Sequence, residues 1–209
     1  DPEETVDFTG IDADDYEFEF DVTDTEASDT ANITVGELDR QAEFGESVYT
    51  QTAGDVVEMT VELEDTDDAW IQFGSEESGF VDILYVNDDD DDGEVTFEVN
   101  TRTVGTAAPK SVVYNSEDDI VNSEMYGGLS GDESVDYQDE DGANLGGSND
   151  YQQYLEDIGQ IGSGDSVFSQ LTRPLQPTTY EVAVNGNNVF VVNDDEESEL
   201  DNEIGLTTL

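Results

Sequence analysis

Asp88-Asp89-Asp90-Asp91-Asp92-Gly93 is the stretch of this chain whose residue types and spacing best suit chemistry. Carboxylates at alternate positions, Asp88, Asp90 and Asp92, converge on one hard cation, and the glycine after them permits the sharp turn of an oxygen-ligand calcium loop. Ca²⁺ is therefore the one cofactor the sequence offers, against the plainer reading of the run as a hairpin tip. The pattern stops halfway. The twelfth position counted from Asp88 is Val99, where such a loop places a bidentate glutamate, and strand-like sequence flanks the run. The alternative is a hairpin tip in an Asp-rich protein. Asp65, Asp67 and Asp68 form a weaker cluster of the same kind.

Other chemistry is short of parts. The chain has no His and no Cys, and its cations are Arg40, Arg102, Lys110 and Arg173. That leaves no imidazole base, no thiolate and no disulfide. Two carboxylates can hydrolyse a glycoside, but with 56 acids in 209 residues close pairs arise by chance and their spacing says nothing. The expectation is a protein that is not an enzyme, with no catalytic residue. Trp70 sits in an alternating strand, where an aromatic side chain packs in the core.

The formal charge is −52. So negative a surface repels nucleic acid and anionic membranes, and makes cations the natural small partners. It also works against compaction. The Debye length is about 8 Å at 0.15 M salt and about 3 Å at 1 M, so only a concentrated brine screens neighbouring carboxylates. Low hydrophobicity with high charge is also a signature of disorder, yet here the acids alternate with apolar residues at a period of two, which a disordered tail does not need.

The elements that position these groups read mainly as strands. Tyr16, Phe18, Phe20 and Val22 share one face of a strand, and Ile33 and Val35 follow in its hairpin partner. Val57, Met59, Val61 and Leu63 alternate with polar residues, and further strands are expected at 69–73, 80–86, 94–100 and 112–114. From 115 to 176 the period vanishes into Gly, Ser, Asp and Asn, except that Tyr151, Tyr154, Leu155 and Ile158 fall at helical spacing. The strand pattern returns at 180–184, and Asn185-Gly186 promises a tight hairpin with 189–192. Short strands separated by Gly and Asp turns argue for an all-β sandwich. The expected division is a hairpin segment, 1–36, followed by a sandwich, 37–209, interrupted by the 115–176 insertion. No apolar run is long enough to span a membrane, and a start at Asp1 suits a processed, secreted chain. Asn32-Ile33-Thr34 is a glycosylation sequon.

Three phrases carry a resemblance: YEFEFDVTDTEASDTANITV from Tyr16 to Val35, GDVVEMTVELEDTDD from Gly54 to Asp68, and GEVTF from Gly93 to Phe97. They resemble the repeated Ig-like domains of haloarchaeal surface glycoproteins of the surface-domain, S-layer-like family. The resemblance implies an Ig-like antiparallel β-sandwich on the cell surface, in an assembly such as a filament, a pilus-like fibre or an S-layer, and brings no catalytic motif. In tandem members a segment like 16–35 closes one domain before the next begins, whereas here it lies near the start of the sequence. A strand pair without its own sheet exposes backbone edges, and pairing with a neighbouring copy would satisfy them by strand addition, head to tail. Tyr16, Phe18, Phe20 and Val22 are the expected contacts, with Tyr151 and Tyr154 from the insertion. The insertion's helix docks either on its parent sandwich or on a neighbour. The competing expectation is a monomeric binding module or adhesin that uses the Gly-rich insertion.

Overall fold

Alternation of apolar and acidic side chains suits a strand with one face in a core and one in water, and most of the strands follow it. The computed structural model describes residues 14–21, 28–35, 40–139, 141–145, 150–192, 198–200 and 203–208. The chain forms two compact units, Asp1–Asp39 and Arg40–Leu209.

The first unit holds β1 (Asp14–Asp21) and β2 (Ser28–Val35), an antiparallel pair running from Asp14 opposite Val35 to Asp21 opposite Ser28. They make a two-stranded sheet of their own. The Thr34 hydroxyl donates to Asp15 Oδ1 at 2.5 Å across the pair.

The second unit is built on two antiparallel sheets. One contains β3 (Gln41–Phe44), β4 (Val56–Glu64), β7 (Glu94–Asn100) and β8 (Tyr114–Asn115), in that spatial order. The other runs β14 (Glu203–Thr208), β11 (Glu181–Asn185), β5 (Asp68–Ser75), β6 (Phe80–Asn87) and β9 (Ile120–Ser123). Met59, Val61, Phe97 and Tyr114 of the first share a core with Ile71, Phe73, Leu84 and Val184 of the second. This is the antiparallel sandwich expected from the sequence. On the other face of the four-stranded sheet acids stand opposite one another: Glu43 pairs with Glu62, Glu62 with Glu94, and Glu58 with Glu98.

The five-stranded sheet is covered on both faces. Ile71 and Leu84 point into the sandwich, while Trp70, Val81, Ile83 and Tyr85 enter a second core with Tyr137, Tyr154, Leu155 and Phe190. Hence Phe80 to Val86 is buried at every position, the near-continuous apolar run of a strand with no wet face. The second core's outer layer comes largely from 115–176. It contains α2 (Asp150–Asp157) and β10 (Asp136–Asp139), the latter parallel to β12 (Val189–Val192), which pairs in turn with β13 (Ser198–Leu200). Fully burying a large apolar side chain contributes roughly 1.5–3 kcal/mol, so Tyr151, Tyr154, Leu155 and Ile158 fix this layer firmly; all are buried.

Two expectations are corrected. The strand expected at 112–114 is instead a helical turn, α1 (Lys110–Val113), closed by the Val112 N–H donating to Pro109 O at 2.9 Å; only Tyr114 and Asn115 join the sheet. Proline cannot donate to a ladder, so the chain turns after it before pairing. The tight hairpin expected at Asn185-Gly186 does not form. Both edges of β11 are already taken, by β5 and β14, so β12 leaves for another sheet. Asn185 Nδ2 donates to Val189 O at 2.7 Å and steers that exit.

Candidate cation site

The turn between β6 and β7 carries the aspartate run. Asp88 is buried, and its carboxylate accepts from Asp92 N at 3.2 Å and Gly93 N at 2.8 Å, which folds the tip back on itself. Gly93 holds a φ of 87°, in the left-handed region that glycine adopts at little cost. Asp92 is used locally, since its Oδ1 accepts from Glu94 N at 3.1 Å.

The third acid of the cluster comes from elsewhere. Asp119, in the loop between β8 and β9, is fixed by Thr96 N donating to its Oδ2 at 2.9 Å and by its own N–H donating to Ser116 Oγ at 3.1 Å. Its Oδ1 is buried and has no hydrogen-bond partner among the described residues. Asp88, Asp90 and Asp119 each bring a carboxylate oxygen within 4.8 Å of the others. Oxygens bound to Ca²⁺ at about 2.3–2.6 Å can lie up to roughly 5 Å apart, so this spacing fits a shared calcium ion. Loss of surrounding water, then the charges of Asp92, Asp119, Asp88 and Asp118, hold the Asp90 carboxyl above its ordinary range, the condition a cation would relieve.

The sequence-derived set was Asp88, Asp90 and Asp92. Two of those are brought together, and Asp119 stands where Asp92 was expected. Sequence reasoning missed Asp119 because strand pairing, not spacing, brings it to the tip; the local Ser116-x-x-Asp119 turn is the one available signal. The weaker cluster does not gather: Asp68 pairs with Arg40 at 3.4 Å, and Asp67 lends its main-chain carbonyl to Asp88 N and Asn87 Nδ2.

Asn32 is exposed on β2, opposite Glu17. Tyr16 and Phe18 are half-buried on β1, Phe20 lies on the same strand opposite Asp29, and Val22 falls outside the described residues. Tyr151 and Tyr154, expected at a subunit contact, are instead 6% and 0% exposed within their own chain. Tyr151 Oη donates to Val81 O at 2.9 Å and Tyr154 Oη to Gln72 Oε1 at 2.8 Å. The helix that carries them faces its parent sheet. Trp70 packs edge-on to Tyr85 and donates Nε1–H to Glu133 O at 3.1 Å.

A buried carboxylate that sequence reasoning passed over is Asp82, inside the run 80–86. It is fully buried, accepting from Ser123 Oγ at 2.7 Å and Met125 N at 3.0 Å. Burial pushes its pKa up to about 7 against these hydrogen bonds. The Tyr114 hydroxyl lies near enough to counter that rise in part, yet its geometry falls short of a hydrogen bond and it has no partner among the described residues.

Fold and surface together define an acid-faced all-β domain with one carboxylate-rich tip. Residues 36–155, more than half of the chain, match the family described as Domain of unknown function (DUF7827), and the protein belongs to that family. It is similar to Cell surface glycoprotein 1 of Haloarcula hispanica, 34% identical over 141 residues, covering 60% of this chain and 15% of that protein. It is also similar to the Cell surface glycoprotein of Haloferax gibbonsii, 31% identical over 142 residues, covering 64% of this chain and 16% of the relative. Cell surface glycoprotein 2 of Haloarcula hispanica is 35% identical over 120 residues, covering 54% of this chain and 13% of its own length. The match thus spans less than a fifth of each relative. No solved structure matches. These relatives support a cell-surface role, and among the described residues no helix is long and apolar enough to cross a membrane.

Proposed function

We propose that this chain is a non-catalytic structural building block of a haloarchaeal cell-surface assembly, a filament, pilus-like fibre or S-layer. The observation that carries this reading is the similarity to haloarchaeal cell surface glycoproteins over 54–64% of the chain. Within the assembly, the β1–β2 hairpin pairs with the sandwich of a neighbouring copy by strand addition. Two features support that detail. The hairpin forms a two-stranded sheet in a unit of its own, and an isolated two-stranded hairpin is marginal in water. Among the described residues neither β1 nor β2 pairs with a third strand, and the outer edges of such a pair are templates for another strand. Asp88, Asp90 and Asp119 hold a Ca²⁺ ion that locks the β6–β7 turn to the loop before β9.

Size-exclusion chromatography and electron microscopy of the full chain in about 3 M NaCl test the assembly. Multimers or fibres are expected, and Phe18→Asp, which places a charge on the apolar face of β1, should shift them to monomer. A wild-type chain that stays monomeric across concentration overturns the assembly reading. Multimers indifferent to Phe18→Asp overturn the strand-addition detail alone.

A further inference from the structure

Lys110 keeps unusual company for a cation in so acidic a chain. Among the described residues it makes no ion pair, although the sequence holds 56 acids. Its Nζ donates instead to the Val121 main-chain carbonyl and, at 3.4 Å, to Oδ1 of Asn122. Glu133 completes the cluster, its Oε1 accepting from Asn122 Nδ2 at 2.9 Å. That bond fixes which end of the amide faces the lysine. Glu133 is held in place in turn, because its main-chain carbonyl accepts from Trp70 Nε1 at 3.1 Å. All three residues are half-buried.

An amine, a carboxamide and a carboxylate in that order are the parts of an amide exchange. With a C=O bond of about 1.23 Å, Nζ lies within about 4.6 Å of the Asn122 carbonyl carbon. Rotation about the flexible lysine stem can bring it into the range of attack, about 3–3.5 Å. Reacting groups held in good alignment reach effective concentrations of about 10⁵–10⁸ M. We infer that Lys110 and Asn122 join covalently through their side chains, in a reaction the folded chain performs on itself with Glu133 as proton carrier. The Lys110 ammonium first releases a proton to water. Its lone pair then attacks Asn122 Cγ, and Glu133 takes the second proton that Nζ sheds and passes it to Nδ2. The Cγ–Nδ2 bond breaks as the Nζ–Cγ amide is completed, and ammonia leaves. No oxidant or cofactor is consumed. The new bond ties α1, which leads into the four-stranded sheet, to β9 at the edge of the five-stranded sheet. It is a staple between the two layers of a chain that has no cysteine for a disulfide. Each chain makes it once, without turnover, and it holds whether or not the chain polymerises.

Intact-mass spectrometry of the full chain, folded and held in about 3 M NaCl, tests it. The wild type is expected to be lighter than its sequence by one ammonia, and proteolysis should release a branched peptide joining Lys110 to Asn122. Lys110→Arg and Asn122→Ala should each keep the full sequence mass. Glu133→Gln retains an acceptor for Nδ2 but cannot carry the proton. It should still stand at full mass when the wild type has reacted completely, a slowing of about a hundredfold or more. A folded wild type at its full sequence mass, which would make Lys110 a hydrogen-bonded lysine and no more, overturns the inference. So does an ammonia loss that survives Lys110→Arg, since it would arise at another residue, or one that proceeds at the wild-type rate in Glu133→Gln.

Discussion

Asp82 is a carboxylate in the middle of a sandwich core, faced by Tyr114, Tyr126, Tyr151 and Glu124 as well as its two hydrogen-bond donors. Its folded pKa of about 7 lies above the ordinary 3.8. Between those values the unfolded chain has released a proton that the folded chain retains, so stability falls as pH rises through this window and levels off above about 7. The whole effect is on the order of 4 kcal/mol. Asp82→Asn keeps the shape and an acceptor without the charge. Denaturation in concentrated salt should show the variant more stable than wild type by about 2–4 kcal/mol at pH 8, with the difference fading toward pH 4; equal stability gains at both pH values would sink the assignment. The tip makes a second residue-scale prediction. At constant ionic strength Ca²⁺ should raise the melting temperature by mass action. Asp119→Asn should abolish that rise and Asp92→Asn should retain it, and the reverse order would return the site to the sequence-derived triad. The sequence shows Asp88 and Asp90 because their neighbours in the chain are also their neighbours in space. It hides Asp119, which the β7–β8 and β6–β9 pairings deliver, and it hides the environment of Asp82, since one acid among 56 carries no mark of burial.

At the scale of elements, legibility followed the number of wet faces. β4 and β7, with one face in water, alternate visibly and match their expected bounds closely. Around β5 and β6 the alternation is overwritten because a second layer covers the far side, and that layer comes from a segment whose Gly-, Ser- and Asp-rich composition concealed β9 and β10. The helix in the same segment was readable from Tyr151, Tyr154, Leu155 and Ile158, but a helical stripe tells what is buried and not which surface buries it. The β5–β6 connection offers the sharpest test of this central pair. Gly74 has a φ of 91°, and a Cβ there would lie 2.0 Å from the Phe80 carbonyl oxygen. Gly74→Ala combines an unfavourable backbone conformation with a clash against main chain, so a loss of about 3 kcal/mol or more is expected in chemical denaturation. Near-wild-type stability would mean that the turn is built differently.

For the molecule as a whole, net charge sets how stability depends on the surrounding salt. Residues directly opposite across an antiparallel pair have Cβ atoms about 4.5–5.5 Å apart, and like charges there are destabilising. The row Glu43, Glu62 and Glu94 places three of them side by side. The melting temperature should therefore climb steadily from about 0.5 to about 4 M NaCl as the Debye length shrinks from about that spacing to well under it. Glu62→Gln, at the centre of the row, should stabilise the domain by about 0.5–1 kcal/mol at the low end and by almost nothing at the high end. An equal effect at both would show that the row is not felt as charge. Composition alone announced this dependence on brine; the register that aligns the glutamates is what focuses it. That aligned face has a further consequence for any coat tiled from copies of the domain. Two such faces repel in dilute solution but are screened in brine, where the Debye length is under about 3 Å, so such a coat should hold together in concentrated salt and loosen on dilution.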